Sequence, residues 1–335
     1  MKTEICDIND KSLSRANEII RRGGAVAFPT ETVYGLGANA LDGDAVKKIF
    51  EIKGRPNDNP LIVHVHNGFD IGSIVDFVPD YAKKLSEKFL PGPLTLVYKS
   101  VGKVSKEVSC GLNTLAVRVP SHEGAQRFLK FVNLPIAAPS ANLSKHVSPV
   151  TAEHVYDDLN GKIELILDGG KCTGGIESTV LDCTGEIPVI LRSGLITREM
   201  IAKVVGCCEE GKLKNGERAR APGMKYRHYS PRCKTKYFEF NETEKALSEY
   251  AKSLNEGVKT YILCDDITAK KIGQANILNL GKSAEEVASN LYFKLREGER
   301  KADLIIAIAP ENQSGIMHGV MNRFKKACGG ENEEK

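Results

Sequence analysis

Along residues 12–203, short apolar runs rich in β-branched residues alternate with segments whose apolar positions recur every three or four residues. That alternation predicts strands interleaved with amphipathic helices. The strand-like runs fall at 25–28, 61–65, 94–98, 115–119, 136–138, 164–167, 178–182 and 189–191, and the helical patterns at 12–22, 44–53, 79–89, 122–131 and 151–159. Several strands follow one another with no helix between them, so the pattern predicts an α/β domain built on a mixed sheet. Ser12 and Asp44 stand where side-chain caps would open two of the helices.

The periodicity vanishes between Cys207 and Pro231, where Lys212, Lys214, Asn215, Gly216, Arg218, Arg220, Pro222 and Gly223 set a basic, turn-rich composition. This stretch reads as a linker. Beyond it, strand-like runs at 235–240, 260–264, 277–280 and 304–308 alternate with helical patterns at 241–254, 283–297 and 314–327, and Ser283 with Glu286 fits a capping box. The expected organisation is therefore a first domain over 1–206, a linker over 207–232, a smaller Rossmann-like α/β domain over 233–328 and a disordered tail over 329–335.

Composition agrees with two cores, since 335 residues with 41% hydrophobic and 27% charged exceed what one core usually supports. A formal charge of +4 over that length is too mild for a nucleic-acid-binding face and suits a small anionic ligand. The nine cysteines are odd in number and lack a C-x-x-C spacing, which reads as reduced thiols in a reducing compartment. The first ten residues carry three acidic side chains and no apolar run. No stretch reaches the ~20 apolar residues of a membrane span, so a cytoplasmic protein is expected.

The chemistry-bearing segments are individually ambiguous. Gly281-Lys282-Ser283 has Asn276 where a phosphate-binding loop needs its leading glycine, and reads as a strand-to-helix turn. Gly35-Leu36-Gly37-Ala38-Asn39-Ala40 reads as a glycine-permitted turn. Lys53-Gly54-Arg55 is either a helix C-cap flanked by bases or a phosphate fork, with Arg55 bidentate and Lys53 a mobile point charge. Pro139-Ser140-Ala141-Asn142 is either a self-satisfied polar turn or a ligand loop at a strand end.

Arg118, inside the apolar run Leu115-Ala116-Val117-Arg118-Val119, needs an anionic partner, which is either a structural carboxylate or that of an amino-acid substrate. His64 and His66 share a strand face, but no further ligands point to a metal. The glycine-rich run 169–175 leads into Glu177-Ser178-Thr179-Val180, and Arg192 closes the next strand. No nucleophile elbow and no zinc-hydrolase motif is present, which leaves catalysis by positioning and electrostatics.

Taken in order, Phe28-Pro29-Thr30-Glu31-Thr32-Val33-Tyr34-Gly35-Leu36-Gly37, Lys53-Gly54-Arg55-Pro56 with Asn59-Pro60-Leu61, Pro91-Gly92-Pro93-Leu94-Thr95 and Ala138-Pro139-Ser140-Ala141-Asn142 resemble the YrdC-like family, in its two-domain threonylcarbamoyl-AMP synthase form. The resemblance implies a YrdC-like catalytic domain with a twisted mixed sheet. It also implies that L-threonine, bicarbonate and ATP, with Mg²⁺, become threonylcarbamoyl-AMP and pyrophosphate, the product passing to a separate tRNA threonylcarbamoyl transferase.

Carried over residue by residue, it places Thr32, His64, Arg118, Ala138 and Ser178 around threonine. Arg55, Asn59, Thr114, Ser140, Asn142, Ser148 and Arg192 are placed around ATP, with Lys53 and Arg55 as the catalytic cations, and the linker is expected, as a separate hypothesis, to fold over the nucleotide through Tyr226 or Tyr229. No metal ligand from a side chain is implied, and a monomer is expected. The competing readings are an RNA-binding module, weighed against by 6% aromatic residues, and a hydrogenase-maturation type of carbamoyl transfer, whose zinc-ligand cysteine pairs are missing.

Overall fold

The structure, a computed structural model, describes residues 1–211 and 229–329, and these divide into two compact units. The first comprises 1–144, 149–173 and 177–211 of the described chain. The second comprises 145–148, 174–176 and 229–329. The two short excursions of 145–148 and 174–176 into the second unit leave no mark in the hydrophobic pattern. Most of the 207–232 linker, the Tyr226 assignment and the tail from 330 onward lie outside the described residues.

In the first unit the strands are β1 (Glu4–Asp7), β2 (Val26–Phe28), β3 (Gly35–Asn39), β4 (Ile62–His64), β5 (Leu94–Lys99), β6 (Thr114–Arg118), β7 (Ile136–Ala138), β8 (Leu165–Asp168), β9 (Thr179–Asp182), β10 (Val189–Arg192) and β11 (Glu209–Glu210). Among the described residues they form one mixed sheet in the order β1-β8-β2-β3-β7-β4-β6-β5-β9-β10-β11. The helices are α1 (Asp10–Arg21), α2 (Gly43–Lys53), α3 (Asp80–Phe89), α4 (Lys106–Ser109), α5 (Glu123–Val132), α6 (Ala152–Leu159) and α7 (Arg198–Val205).

Amphipathic spacing decides the first layer. Leu13, Ala16, Ile19 and Ile20 of α1 and Ala125, Phe128, Leu129 and Val132 of α5 bury one stripe each over Val26, Phe28, Leu165 and Leu167. Helices α1 and α2 start two and one positions before the predicted ones, because the side chains that accept the free amides at their starts are Asn9 and Asp42 rather than Ser12 and Asp44. Asn9 and Ser12 form a reciprocal capping box.

The segment around Gly35 is a correction. It is strand β3, paired antiparallel with β2 and β7, not a turn. Its glycines serve close packing, since a Cβ on Gly37 would stand 2.7 Å from Ile136 Cγ2 and 2.9 Å from Phe28 Cε1. Gly54, in contrast, is the left-handed cap that ends α2, at φ 60°.

The second unit holds β12 (Lys234–Phe238), β13 (Thr260–Cys264), β14 (Ile277–Asn279) and β15 (Leu304–Ile308), all parallel in the order β12-β15-β13-β14. Helices α8 (Thr243–Asn255), α9 (Asp266–Ile272), α10 (Ala284–Lys301) and α11 (Ile316–Cys328) complete it. Ala246 of α8 packs with Ile262, Cys264, Leu304, Ile306 and Ile308, while Gly298 lets α10 approach Ile305 and Leu278 so closely that a Cβ would fall 2.7 Å from each. A parallel sheet whose two central strands, β13 and β15, are buried gives the expected Rossmann-like layering. At the start of α10 only half of the predicted box forms. Ser283 caps Glu286, but the Glu286 carboxylate accepts from the amide of Lys282 instead of reaching back to Ser283. Among the described residues no helix is long and apolar enough to cross a membrane.

Candidate active site

Strand β4 organises the site, because its two ends collect different side chains. It lies between β7, antiparallel, and β6, parallel, with Ile62 opposite both Ala138 and Ala116 and His64 opposite both Ile136 and Arg118. Asn59 and Pro60 precede β4, Thr114 opens β6 and the 140–142 loop leaves β7, so all of these cluster where β4 begins. His64 and Arg118 stand together where it ends. At about 3.3 Å per residue the two clusters are on the order of 10 Å apart.

At the entry end, Lys53 is only 2% exposed because its ammonium donates to the backbone carbonyls of Ser140 and Asn142. The amide of Ser144 in turn donates to the Lys53 carbonyl at 2.8 Å. Ser140 Oγ donates to Asn142 Oδ1 at 2.5 Å. The end of α2 and the Ser140 loop are thus one clamped unit, and Lys53 is a fixed cation rather than a mobile one. Arg55 is half-buried, and its Nη2 donates to the carbonyls of Asn59 and Pro60 at 3.1 and 3.5 Å. Asn59 is 1% exposed, and neither atom of its side-chain amide has a hydrogen-bond partner among the described residues. A buried amide left unmatched costs free energy, so this is a donor and an acceptor poised for a ligand.

At the exit end, Thr30 builds the turn that carries Thr32. Its Oγ1 donates to the Val33 carbonyl at 2.6 Å and accepts from the amides of Thr32 and Val33. Arg118, 3% exposed, donates from Nη1 to Thr32 Oγ1 at 2.8 Å and from Nε to the Gly92 carbonyl at 3.3 Å, and its Nη2 lies 2.8 Å from Glu31 Oε2. Of the two partners open from the sequence, the structural carboxylate is therefore present, and it is Glu31.

His64 Nδ1 lies 3.1 Å from the Ile62 carbonyl, which can only accept, so Nδ1 carries the hydrogen and Nε2 keeps a lone pair. Burial first, and the Arg118 charge second, hold its pKa down at about 3, with the bond to Ile62 opposing. Its ring meets Phe28 edge-on at 5.8 Å. His66, beyond the end of β4, instead approaches Asn133 and the Asn67 carbonyl.

Ser178 Oγ is 2.8 Å from Thr95 Oγ1, and the Arg192 guanidinium donates to the Ser178 carbonyl from Nε and Nη2 at 3.1 and 2.9 Å. Arg192 therefore stands with the exit-end residues, although the sequence grouped it with the nucleotide. Ala138, buried, lies at the entry end opposite Ile62. Ser148 and Tyr229 belong to the second unit, where Tyr229 stacks on Tyr292 at 5.3 Å. The sequence reading missed Glu31 and Thr95. For Glu31 the signal was visible as a carboxylate inside a run of residues that are otherwise apolar or hydroxylic.

A fixed ammonium, a guanidinium and an unmatched amide at one end suit a polyanion. A guanidinium, a carboxylate, hydroxyls and a neutral imidazole at the other suit a small zwitterion. The comparisons with known proteins fit this division. Residues 18–194 match the family profile Sua5_yciO_yrdC, described as telomere recombination, and residues 196–329 match the C-terminal domain of threonylcarbamoyl-AMP synthase. The chain belongs to this Sua5–YciO–YrdC family.

Within the family it has the two-domain form. It is 43% identical to a threonylcarbamoyl-AMP synthase of Pyrococcus abyssi, over 96% of this chain and 95% of the relative, and 42% identical to that of Bacillus subtilis, over 98% and 96%. The crystal structure of P. abyssi Sua5 complexed with L-threonine superposes with a TM-score of 0.88 at 41% identity, covering 98% of this chain and 97% of that one.

Proposed function

We propose that this chain condenses L-threonine, bicarbonate and ATP into threonylcarbamoyl-AMP and pyrophosphate, working as a single chain. The observation that carries the reading is the two-ended strand β4, with a polyanion-suited cluster at its start and a zwitterion-suited one at its end, in a chain 43% identical to a threonylcarbamoyl-AMP synthase. The threonine amine and bicarbonate give a carbamate and water. A carbamate oxygen then attacks the α-phosphorus of ATP, and pyrophosphate leaves.

In this scheme the entry end, with Arg55, Asn59, Thr114 and the clamped Ser140–Asn142 loop, holds the nucleotide and opposes the charge that develops on the phosphates. Thr32, His64, Arg118 and Ser178 hold threonine, with Arg118 facing its carboxylate and the His64 lone pair accepting from a donor on the substrate. Catalysis is then largely a matter of positioning: the two reactants are anchored at opposite ends of a short strand, so that the carbamate oxygen and the α-phosphorus meet between the anchors. Mg²⁺ bound with the triphosphate would supply neutralisation of phosphate charge. Arg55 and Asn59 would hold the phosphates that carry it. The product, an activated carbamoyl anhydride, suits transfer to an amine on tRNA by a separate enzyme.

Purified protein incubated with ATP tests the reading through pyrophosphate release. Release that requires both threonine and bicarbonate supports it. Release independent of threonine, or RNA binding without turnover, overturns it.

A further inference from the structure

The geometry points to Glu31 as the group that receives the α-ammonium of the amino-acid substrate, its ion pair with Arg118 being the form the pocket takes when empty. This deepens the proposed reading of the exit end as an amino-acid site. Glu31 is 8% exposed as a residue and its Oε2 lies 2.8 Å from Arg118 Nη2, yet neither carboxylate oxygen has a hydrogen bond to any described residue, and both are shielded from solvent together with that Nη2. A buried ion pair whose remaining hydrogen-bonding capacity is unused contributes little to stability, because desolvation offsets the attraction. The arrangement therefore makes poor sense as a structural brace. It makes good sense as half of a receptor.

An α-amino acid brings two opposite charges a few ångströms apart, and burying either one unmatched is costly. Arg118 answers the carboxylate but leaves the ammonium. The other titratable groups tied electrostatically to this pocket do not answer it. His64 of β4 is neutral with its pKa at about 3, and burial pushes the Cys172 thiol, facing Glu31 and Arg118 from the 170–173 loop, up to about 12. Glu31 supplies the missing negative charge, with room for several hydrogen bonds to an ammonium that offers three donors.

Binding is then an exchange of partners. Arg118 Nη2 passes from Glu31 to the substrate carboxylate, Glu31 passes from Arg118 to the substrate ammonium, and the net charge of the pocket is unchanged. Thr32, already bonded to Arg118 Nη1 at 2.8 Å, keeps the guanidinium in plane through the exchange.

Isothermal titration of the full chain with L-threonine, and with 2,3-dihydroxybutyrate, which replaces the amine by a hydroxyl and keeps the carboxylate, tests this. The wild-type chain is expected to prefer threonine by at least roughly tenfold, and Glu31→Gln to weaken threonine roughly tenfold to a hundredfold while leaving dihydroxybutyrate within about threefold. Equal weakening of both ligands overturns the proposal, since Glu31 would then act only by holding Arg118. So does a Glu31→Gln variant that binds threonine normally. Should that variant fail to fold, the wild-type comparison decides alone, and equal affinity for the two ligands overturns the proposal. A wild-type chain that neither binds threonine nor releases pyrophosphate with it overturns the broader reading instead. Intact pyrophosphate release with equal affinities overturns the role of Glu31 only.

Discussion

Lys53 and Asn142 stand 89 positions apart in the chain and share a buried hydrogen bond, the lysine ammonium donating to the asparagine carbonyl and, beside it, to that of Ser140. Two motifs that look like a helix cap and a polar turn are thereby one object. Removing the ammonium leaves carbonyls buried and unmatched. Lys53→Met is therefore expected to lose about 2–4 kcal/mol of stability together with most ATP-dependent turnover. Urea denaturation followed alongside pyrophosphate release checks that the two losses come together.

Arg55 separates the two effects. It is half-buried, and its backbone contacts are local to Asn59 and Pro60. Arg55→Ala is expected to cut turnover by a hundredfold or so, the scale of one electrostatic contact to a developing charge, while the folded state survives. Circular dichroism and the same turnover assay make the comparison, and an unfolded variant would return Arg55 to a purely structural role.

The glycines of β3 offer a test of packing. A methyl group on Gly37 would meet Ile136 and Phe28 well inside contact distance, in the core that carries Thr32 and His64. Gly37→Ala should cost about 1–3 kcal/mol, the usual range for overpacking, read as a lower urea midpoint with an unchanged slope. A neutral outcome would mean that β2 and β7 can part at no cost.

His64 gives a dependence on pH whose sign is fixed by its burial. Its folded pKa of about 3 lies below the unfolded value of 6.5, so the unfolded chain binds a proton that the folded chain refuses. The associated stability is fully present above pH 6.5 and is lost as pH falls toward 3. Between pH 6.5 and 4 the loss amounts to about 3 kcal/mol. Melting temperatures over that window should fall more steeply for the wild type than for His64→Gln, which has no proton to take up.

What the sequence disclosed, and what it hid, follows from how each element earns its burial. Helices α1, α2 and α5 announce themselves because one stripe is apolar and the rest is charged. Strand β3 did not, because its burial rests on the absence of side chains at Gly35 and Gly37, which in a sequence looks like flexibility. Strand β1 is short, with half-buried Glu4 and Cys6 alternating with exposed Ile5 and Asp7, so its one aliphatic residue faces outward, and α9 is too polar to show a stripe. Arg118 was legible as a residue in need of an anion, but that Glu31 supplies it depends on a turn made by Thr30, not on any spacing. The membership of 145–148 and 174–176 in the second unit is set by tertiary contacts alone.

The register of β4 also governs how this chain can drift over evolutionary time. Length changes in the 54–61 connection move no side chain from one face of the sheet to the other. An inserted or deleted residue within Ile62–His64 inverts the strand's faces, turns the imidazole away from Arg118 and breaks the match to β6 and β7 in one step. Divergence in this part of the molecule is thus channelled into substitutions and loop indels, with the three central residues of the sheet acting as a fixed ruler between the two halves of the pocket.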